Sequence, residues 1–123
     1  MIVDRHAAII SRHIIDCTDE VVVGAFSTFV RFRSQILTNS IDLKESRQRC
    51  KPVRIGHQCF VGADCVLLAG SALPACSVLG VDSLVTAKYQ TRGHLYGGVP
   101  AKPIKAIDPA AEYFCRAAEY VFY

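Results

Sequence analysis

Branched aliphatic residues return every six positions along the middle of this chain. Ile55, Val61, Leu67, Leu73, Leu79 and Val85 hold the frame without a miss, and four residues after each of the first five stands a small side chain: Cys59, Cys65, Ser71, Ser77 and Ser83. Gly56, Gly62 and Gly80 each follow an aliphatic directly. Two columns in register at a fixed period mark an internal repeat. Sandwich strands alternate every two residues and turn every eight to twelve or so. A period of six predicts instead a solenoid in which each hexapeptide forms one short side of a triangular coil. Three sides close the coil, and the aliphatics stack inside from coil to coil.

The N-terminal part keeps a looser version of this rhythm. Ile9, Ile15 and Val21 are six apart, followed after four residues by His13, Asp19 and Ala25; the frame then slips, and Val30 and Ile36 resume it with Ser34 in the small place. Residues 39–52, NSIDLKESRQRCKP, are polar and charged and carry no repeat. They read as a loop extruded between continuing coils. Long loops on rigid scaffolds concentrate function, the alternative being a solvated excursion. Beyond Ala87, Gly97 and Gly98 followed by Pro100 and Pro103 argue against a regular helix or central strand. Asp108 and Pro109 suit an N-cap and first helical residue, with Glu112 in the first turn. Phe114, Ala118, Val121 and Phe122 give one apolar face. The expected organisation is a β-helix domain over 1–107 and a short helix over 108–123 capping the open end of the coils.

Composition narrows the function. A chain of 123 residues is one domain's worth. With 51% hydrophobic and 20% charged residues, disorder is excluded. A net charge of +3 is too small to argue for nucleic acid but suits a small anionic ligand. No apolar run approaches the roughly eighteen residues of a membrane span, and MIVDRHAAII does not resemble a signal peptide. The six cysteines therefore read as reduced thiols of a cytoplasmic protein. Cys59 and Cys65 fall in the small column, a structural place, and no CxxC pair suggests a metal.

The hexad of aliphatic, Gly, two free positions, a small residue and one more, the phrase IGHQCFVGADCVLLAGSALPACSVLGVDSLV and the terminal GGVPAKPIK resemble the hexapeptide-repeat acyltransferases, which include galactoside, maltose and polysaccharide O-acetyltransferases. The resemblance implies an all-β solenoid, specifically a left-handed parallel β-helix. It also implies a homotrimer, acetyl-CoA in grooves between subunits, and a saccharide hydroxyl as acceptor. Carried over by position, Phe60 stands where relatives often have Trp, facing the acceptor or pantetheine. Ala63, Val81 and Thr86 fall beside the pantetheine arm. Lys102 and Lys105, with Lys88, match cations near the CoA phosphates, where a lysine supplies a mobile point charge.

In such relatives a histidine in the extruded loop takes the acceptor's proton, a role for a group of near-neutral pKa. Here the corresponding phrase is Thr38-Asn39-Ser40. Asn39 accepts no proton at any useful pH, although an amide can donate to an oxyanion or orient a hydroxyl. His57, expected at a corner near the loop's return, is a substitute base; His94, His6 and His13 are weaker ones. Asp42 and Glu45 are loop carboxylates with an orienting or substituting role open to them. The histidines lack the spacing for a metal centre shared across subunits. Two classes stay open: an acetyl-CoA-dependent O-acetyltransferase with altered base chemistry, and a catalytically silent repeat protein that binds CoA or a saccharide, or serves as a trimeric scaffold.

Overall fold

The computed structural model describes residues 1–116. Sixteen strands and a single helical turn make up these residues. Four coils stack into a three-sided prism. The first face carries β1 (Ile2–Val3), β4 (Val21–Val23), β9 (Val53–Ile55) and β12 (Ala72–Leu73). The second carries β2 (Ala8–Ile9), β5 (Thr28–Phe29), β10 (Phe60–Val61), β13 (Val78–Leu79), β15 (His94–Gly98) and β16 (Ala101–Ala106). The third carries β3 (Ile14–Ile15), β6 (Gln35–Ile36), β11 (Val66–Leu67) and β14 (Leu84–Val85). Successive coils pair in parallel, and in the regular half Phe60 meets Val78 and Val66 meets Leu84, eighteen residues on in each case.

The aliphatic column is the core. Ile55, Val61, Leu67, Leu73, Leu79 and Val85 are all at most 3% exposed, and each such side chain contributes about 2 kcal/mol by leaving water. In the N-terminal half the interior register differs from the sequence expectation. Val23 and Phe29, not Val30, stack under Ile55 and Val61, because seven residues rather than six separate Phe29 from Ile36. Tyr96 continues the column above Leu79, its hydroxyl donating to the Thr91 carbonyl at 2.6 Å.

The small column tightens the corners. Ser27 Oγ donates to the Gly56 carbonyl at 2.7 Å and accepts from the Cys59 N–H at 2.9 Å, joining adjacent coils. Ser34 repeats the motif with Gly62 and Cys65. Cys59 and Cys65 donate in turn to the carbonyls of Pro74 and Gly80. The residue before each small one adopts a left-handed backbone: Phe26, Gln58, Asp64, Gly70, Cys76 and Asp82 all do so. A hexapeptide turns its corner by that single positive φ.

All six cysteines are unpaired thiols. Burial pushes the Cys59 thiol up to about 12 and raises that of Cys65, and a thiol rather than a thiolate does not react. Iodoacetamide at pH 8 is therefore expected to label exposed Cys17, Cys50 and Cys115 in the native protein while Cys59 and Cys65 react only after denaturation. Peptide mass mapping reads this, and rapid native labelling at Cys59 would show the column to be open.

Three expectations need correction. The extruded segment is not an irregular loop: β7 (Asn39–Asp42) and β8 (Arg47–Cys50) form an antiparallel hairpin. The glycine and proline segment does form strands, with β15 paired on both edges. Pro103 is tolerated because β16 is the outermost strand of the sheet. The helical turn α1 (Glu112–Cys115) starts after Ala111, without a side-chain cap. Asp108 instead accepts from the Ala110 N–H in the preceding turn. It also lies against the side of the prism: Tyr113 donates to the Cys59 carbonyl at 2.8 Å, and Gln58 donates to the Phe114 carbonyl. Ala118, Val121 and Phe122 of the expected apolar face lie outside the described residues.

Candidate functional site

The hairpin leaves the prism at the third corner, where the third face turns into the first. Its root is held by Asp16 of the first coil. One carboxylate oxygen accepts from the backbone N–H groups of Thr38 at 3.2 Å and Asn39 at 3.0 Å. The other accepts from the Thr18 hydroxyl and N–H. These bonds, led by the Thr18 hydroxyl, hold the Asp16 carboxyl below the usual carboxylate range. Thr38 is fully buried and donates to the Asp16 carbonyl. Asn39 is exposed opposite Cys50. The Lys51 N–H bonds the Thr38 carbonyl, which makes Asn39 and Cys50 a pair without mutual hydrogen bonds, the closer type of cross-strand neighbour.

Above this root a cleft of about 390 Å³ runs along the third corner, lined by Lys51, Pro52, Ala69, Gly70, Thr86 and Lys88. Gly70 has a φ of +80°, and an added Cβ would stand 3.1 Å from Lys51 Cδ, a side-chain atom that would have to shift slightly. The Lys51 stem thus lies across this glycine. Two sequence candidates, Thr86 and Lys88, meet here together with Lys51, which sequence reasoning left inside the polar excursion. Its only signal was the end of that excursion against Pro52.

The other candidates lie elsewhere. Ala63 and Val81 stack at the second corner, between the second and third faces, where the Asp82 N–H bonds the Ala63 carbonyl. Ala63 is 6% exposed and Val81 63%. Lys102 pairs with Gly97 at the same edge, whereas Lys105 pairs with Leu95 farther along the strand. Phe60 stands half-buried on the second face. Its ring meets Tyr113 edge-on at 5.7 Å, and the Arg116 guanidinium lies 3.9 Å from the Tyr113 ring. The C-terminal turn covers this part of the second face.

None of the substitute bases reaches the hairpin root. His57 is exposed at the first corner, beside Gln58, and the whole first face separates it from the loop's return. His94 contacts the Arg92 carbonyl at 2.8 Å, and His6 stacks on Phe26. His13 fills a place in the small column, where Nδ1 accepts from the Ser34 N–H at 3.2 Å and the ring edge meets Phe29. Asp42 caps the hairpin turn through the Lys44 and Glu45 N–H groups, and Glu45 pairs with Arg49. No helix among the described residues is long and apolar enough to cross a membrane.

No family model matches the chain. Solved structures do resemble it along most of its length. A maltose O-acetyltransferase from Clostridium difficile 630 superposes with a TM-score of 0.65 at 18% identity, covering 83% of this chain and 67% of that one. The likeness shows the fold of this chain to be a left-handed parallel β-helix. A hexapeptide-repeat acetyltransferase from Vibrio cholerae gives a TM-score of 0.69 at 18% identity, covering 85% of this chain and 72% of that one. An N-acyltransferase from Bacillus cereus, in complex with coenzyme A and an amino-deoxy sugar nucleotide, gives 0.71 at 15% identity, with coverage of 83% and 60%. In sequence, a UDP-3-O-acylglucosamine N-acyltransferase of Campylobacter lari is 33% identical over 79 residues, which are 63% of this chain. The chain spans 23% of that protein's length.

Proposed function

We propose that this chain is an acetyl-CoA-dependent O-acetyltransferase acting on a saccharide hydroxyl, and that it works as a homotrimer in the cytoplasm. The observation that carries this reading is the division of the candidate site between the two edges of the third face. Ala63, Val81 and Lys102 mark the second corner; Asn39, Lys51, Thr86 and Lys88 mark the third. One protomer cannot bring these edges together, but a neighbour rotated about an axis parallel to the prism sets the second corner of one copy against the third corner of the next. The outward side chains of the face between them, Ile14, Gln35, Val66 and Leu84, are mostly apolar, and Ile14 is 60% exposed. The second face is partly covered by Tyr113 and Arg116, which favours the third face for association.

The residues present suit the thioester's carrier. Lysines at both edges offer charge to phosphates. Ala63 leaves room for a narrow pantetheine arm, and Gly70 keeps the cleft floor open under Lys51. The Vibrio cholerae acetyltransferase of the same fold has also been solved in complex with acetyl-CoA, superposing at a TM-score of 0.63 and 16% identity. Among the described residues no base stands at the hairpin root: Asn39 orients or donates, and the acceptor hydroxyl attacks without general-base help worth roughly 10²–10⁴-fold. That deficit is the one observation favouring the second reading, a silent trimeric scaffold that retains CoA or saccharide binding.

Acetyl-CoA is expected to bind with measurable heat, one per chain, and to raise the melting temperature, as any ligand of the native state does. Lys88→Ala and Lys102→Ala are each expected to weaken it, and sedimentation is expected to show a trimer. Absence of both heat and thermal shift sinks the transferase reading, and a monomer sinks the shared site.

A further inference from the structure

The second corner changes character along the prism axis. In the upper coils it is small and acidic, with Gly62, Ala63 and Asp64 followed by Gly80, Val81 and Asp82. In the lower coils it is basic and aromatic, with Arg12 in the first and Arg31, Phe32 and Arg33 in the second. The Arg33 N–H donates to the Arg12 carbonyl at 2.9 Å, so these arginines sit on adjacent coils, one strand spacing apart. Arg33 is compensated: its Nε and Nη2 reach the two carboxylate oxygens of Asp64 at 2.7 and 3.3 Å. Among the described residues no carboxylate pairs with Arg12 or Arg31, and both are exposed.

Folding does not ask for arginine here. Arg12, Arg31 and Arg33 have φ of 58°, 63° and 66°, a backbone at which glycine and short polar residues are cheapest. The equivalent upper positions use Asp64 and Asp82, both at 58°. The one-residue surplus between Phe29 and Ile36 also falls at this corner. It leaves Phe32 42% exposed, with the Arg33 guanidinium 5.1 Å over its ring. A site that breaks the repeat and gathers like charge, against the local preference of the fold, is where function is expected.

Its place in the groove says what it meets. Lys102, Val81 and Ala63 descend the same corner in that order, and the arginines follow directly below. With the phosphates at Lys102, the reacting end of the thioester points down toward Arg31 and Arg12. We propose that this arginine corner binds the acceptor, and that the acceptor is an anionic saccharide whose charge is a carboxylate or a phosphate. The planar guanidinium fork matches both groups, and the Phe32 ring offers an apolar surface to the sugar. This inference rests on the acetyl-CoA reading above.

Calorimetry with trigalacturonic acid, its trimethyl ester and glucose 6-phosphate tests it, on the wild type and on the double variant Arg12→Asn, Arg31→Asn. Asparagine tolerates the left-handed backbone, so the variant keeps its fold, which a melting curve checks. At least one of the two anions is expected to bind the wild type, more weakly at high salt. The variant is expected to lose about tenfold or more of that affinity, as charged hydrogen bonds are worth, and to keep its acetyl-CoA affinity. Which anion binds distinguishes a carboxylate from a phosphate acceptor. The proposal is overturned if neither anion binds, if the ester binds as well as the acid, or if the double variant binds like the wild type. Failure of acetyl-CoA to bind the wild type would instead strike the transferase reading, since the two affinities are measured separately.

Discussion

Replacing Gly56 by alanine is expected to cost about 3 kcal/mol or more and to lower the melting temperature by roughly ten degrees or more. A Cβ at this position would stand 2.6 Å from the Ala75 nitrogen and 2.9 Å from its Cα. Both are backbone atoms of the next coil, held by the parallel ladder, and cannot step aside as a side chain can. Gly24 directly below is equally confined, with an added Cβ meeting Gly56 C and His57 N at 2.5 Å. The first corner is thus a stack of touching backbones. Gly80 occupies the same place in its hexad and supplies the control. Its added Cβ would meet only the Tyr96 carbonyl oxygen at 3.6 Å and Ser83 Oγ at 3.8 Å, so Gly80→Ala is expected to melt within a few degrees of wild type. Thermal denaturation of the two variants side by side decides it. If they are equally damaged, the hexad glycine is a requirement of the repeat itself and the coil-to-coil contact is not its cause. Gly24→Ala combined with Gly56→Ala should not be additive, because the Cβ added at Gly24 presses on the Gly56 backbone itself and the two sites are in direct contact.

That comparison shows how far a sequence of this kind carries. The aliphatic and small columns over 55–85 specify the coils because period six has only one packing that buries both. The structure keeps each of those residues where the spacing puts it. The N-terminal half is harder to read because Val21, Val22 and Val23, or Phe29 and Val30, offer two aliphatic frames one or two residues apart. The coil above settles it: Val23 and Phe29 stack under Ile55 and Val61, and Val21 is buried as well, under Val53. Tyr96 escaped because the segment after Val85 spends extra residues before rejoining the second face, and an aromatic residue out of frame gives no periodic signal. The left-handed corners were equally silent. Gln58 and Cys76 are not residues that advertise a positive φ, and the corner imposes it on them.

The place of each candidate residue in the repeat was legible, but their grouping in space was not. Position in a repeat gives a residue its coil and its corner, and those assignments carried Thr86 and Lys88 to the cleft and Ala63 and Val81 to the second corner. It does not say which faces are covered. Tyr113 reaches Phe60 from fifty-three residues away in sequence, and no local pattern announces such a contact. His57 failed for a related reason. Nearness to the loop in sequence suggested nearness in space, yet three residues of strand carry the chain across a whole face before the next corner. Asp16 had a readable sign, an aspartate two residues before Thr18 in an Asx turn, but its grip on Thr38 and Asn39 depends on the coil below the hairpin.

Asn39→His is expected to raise acetyl transfer about a hundredfold or more, the usual yield of a positioned general base. Three features make the position suitable. Its backbone is fixed by Asp16 and by the buried Thr38, so a new ring would not wander with the hairpin tip. Asn39 itself is exposed, leaving an imidazole with an ordinary pKa near 6.5 and therefore largely unprotonated at neutral pH. It also lies at the hairpin root opposite Cys50, which directly precedes the cleft residue Lys51, on the edge that a neighbour's Ala63 and Val81 would face. The gain should follow the deprotonated imidazole: rate increasing with pH through about 6.5 and flat above 8, with no comparable step in the wild type. Acetyl-CoA affinity should stay unchanged, since an amide is exchanged for a ring outside the cleft lining. Asn39→Ala separates the two roles left to the natural residue. If its amide orients the acceptor or steadies the oxyanion, alanine lowers the basal rate; if the protein is a silent scaffold, alanine leaves thioester cleavage at the background of free acetyl-CoA. A histidine variant that binds acetyl-CoA normally yet gains neither rate nor pH dependence would place the reacting carbonyl away from the hairpin root, and with it would go the shared-edge arrangement of the site.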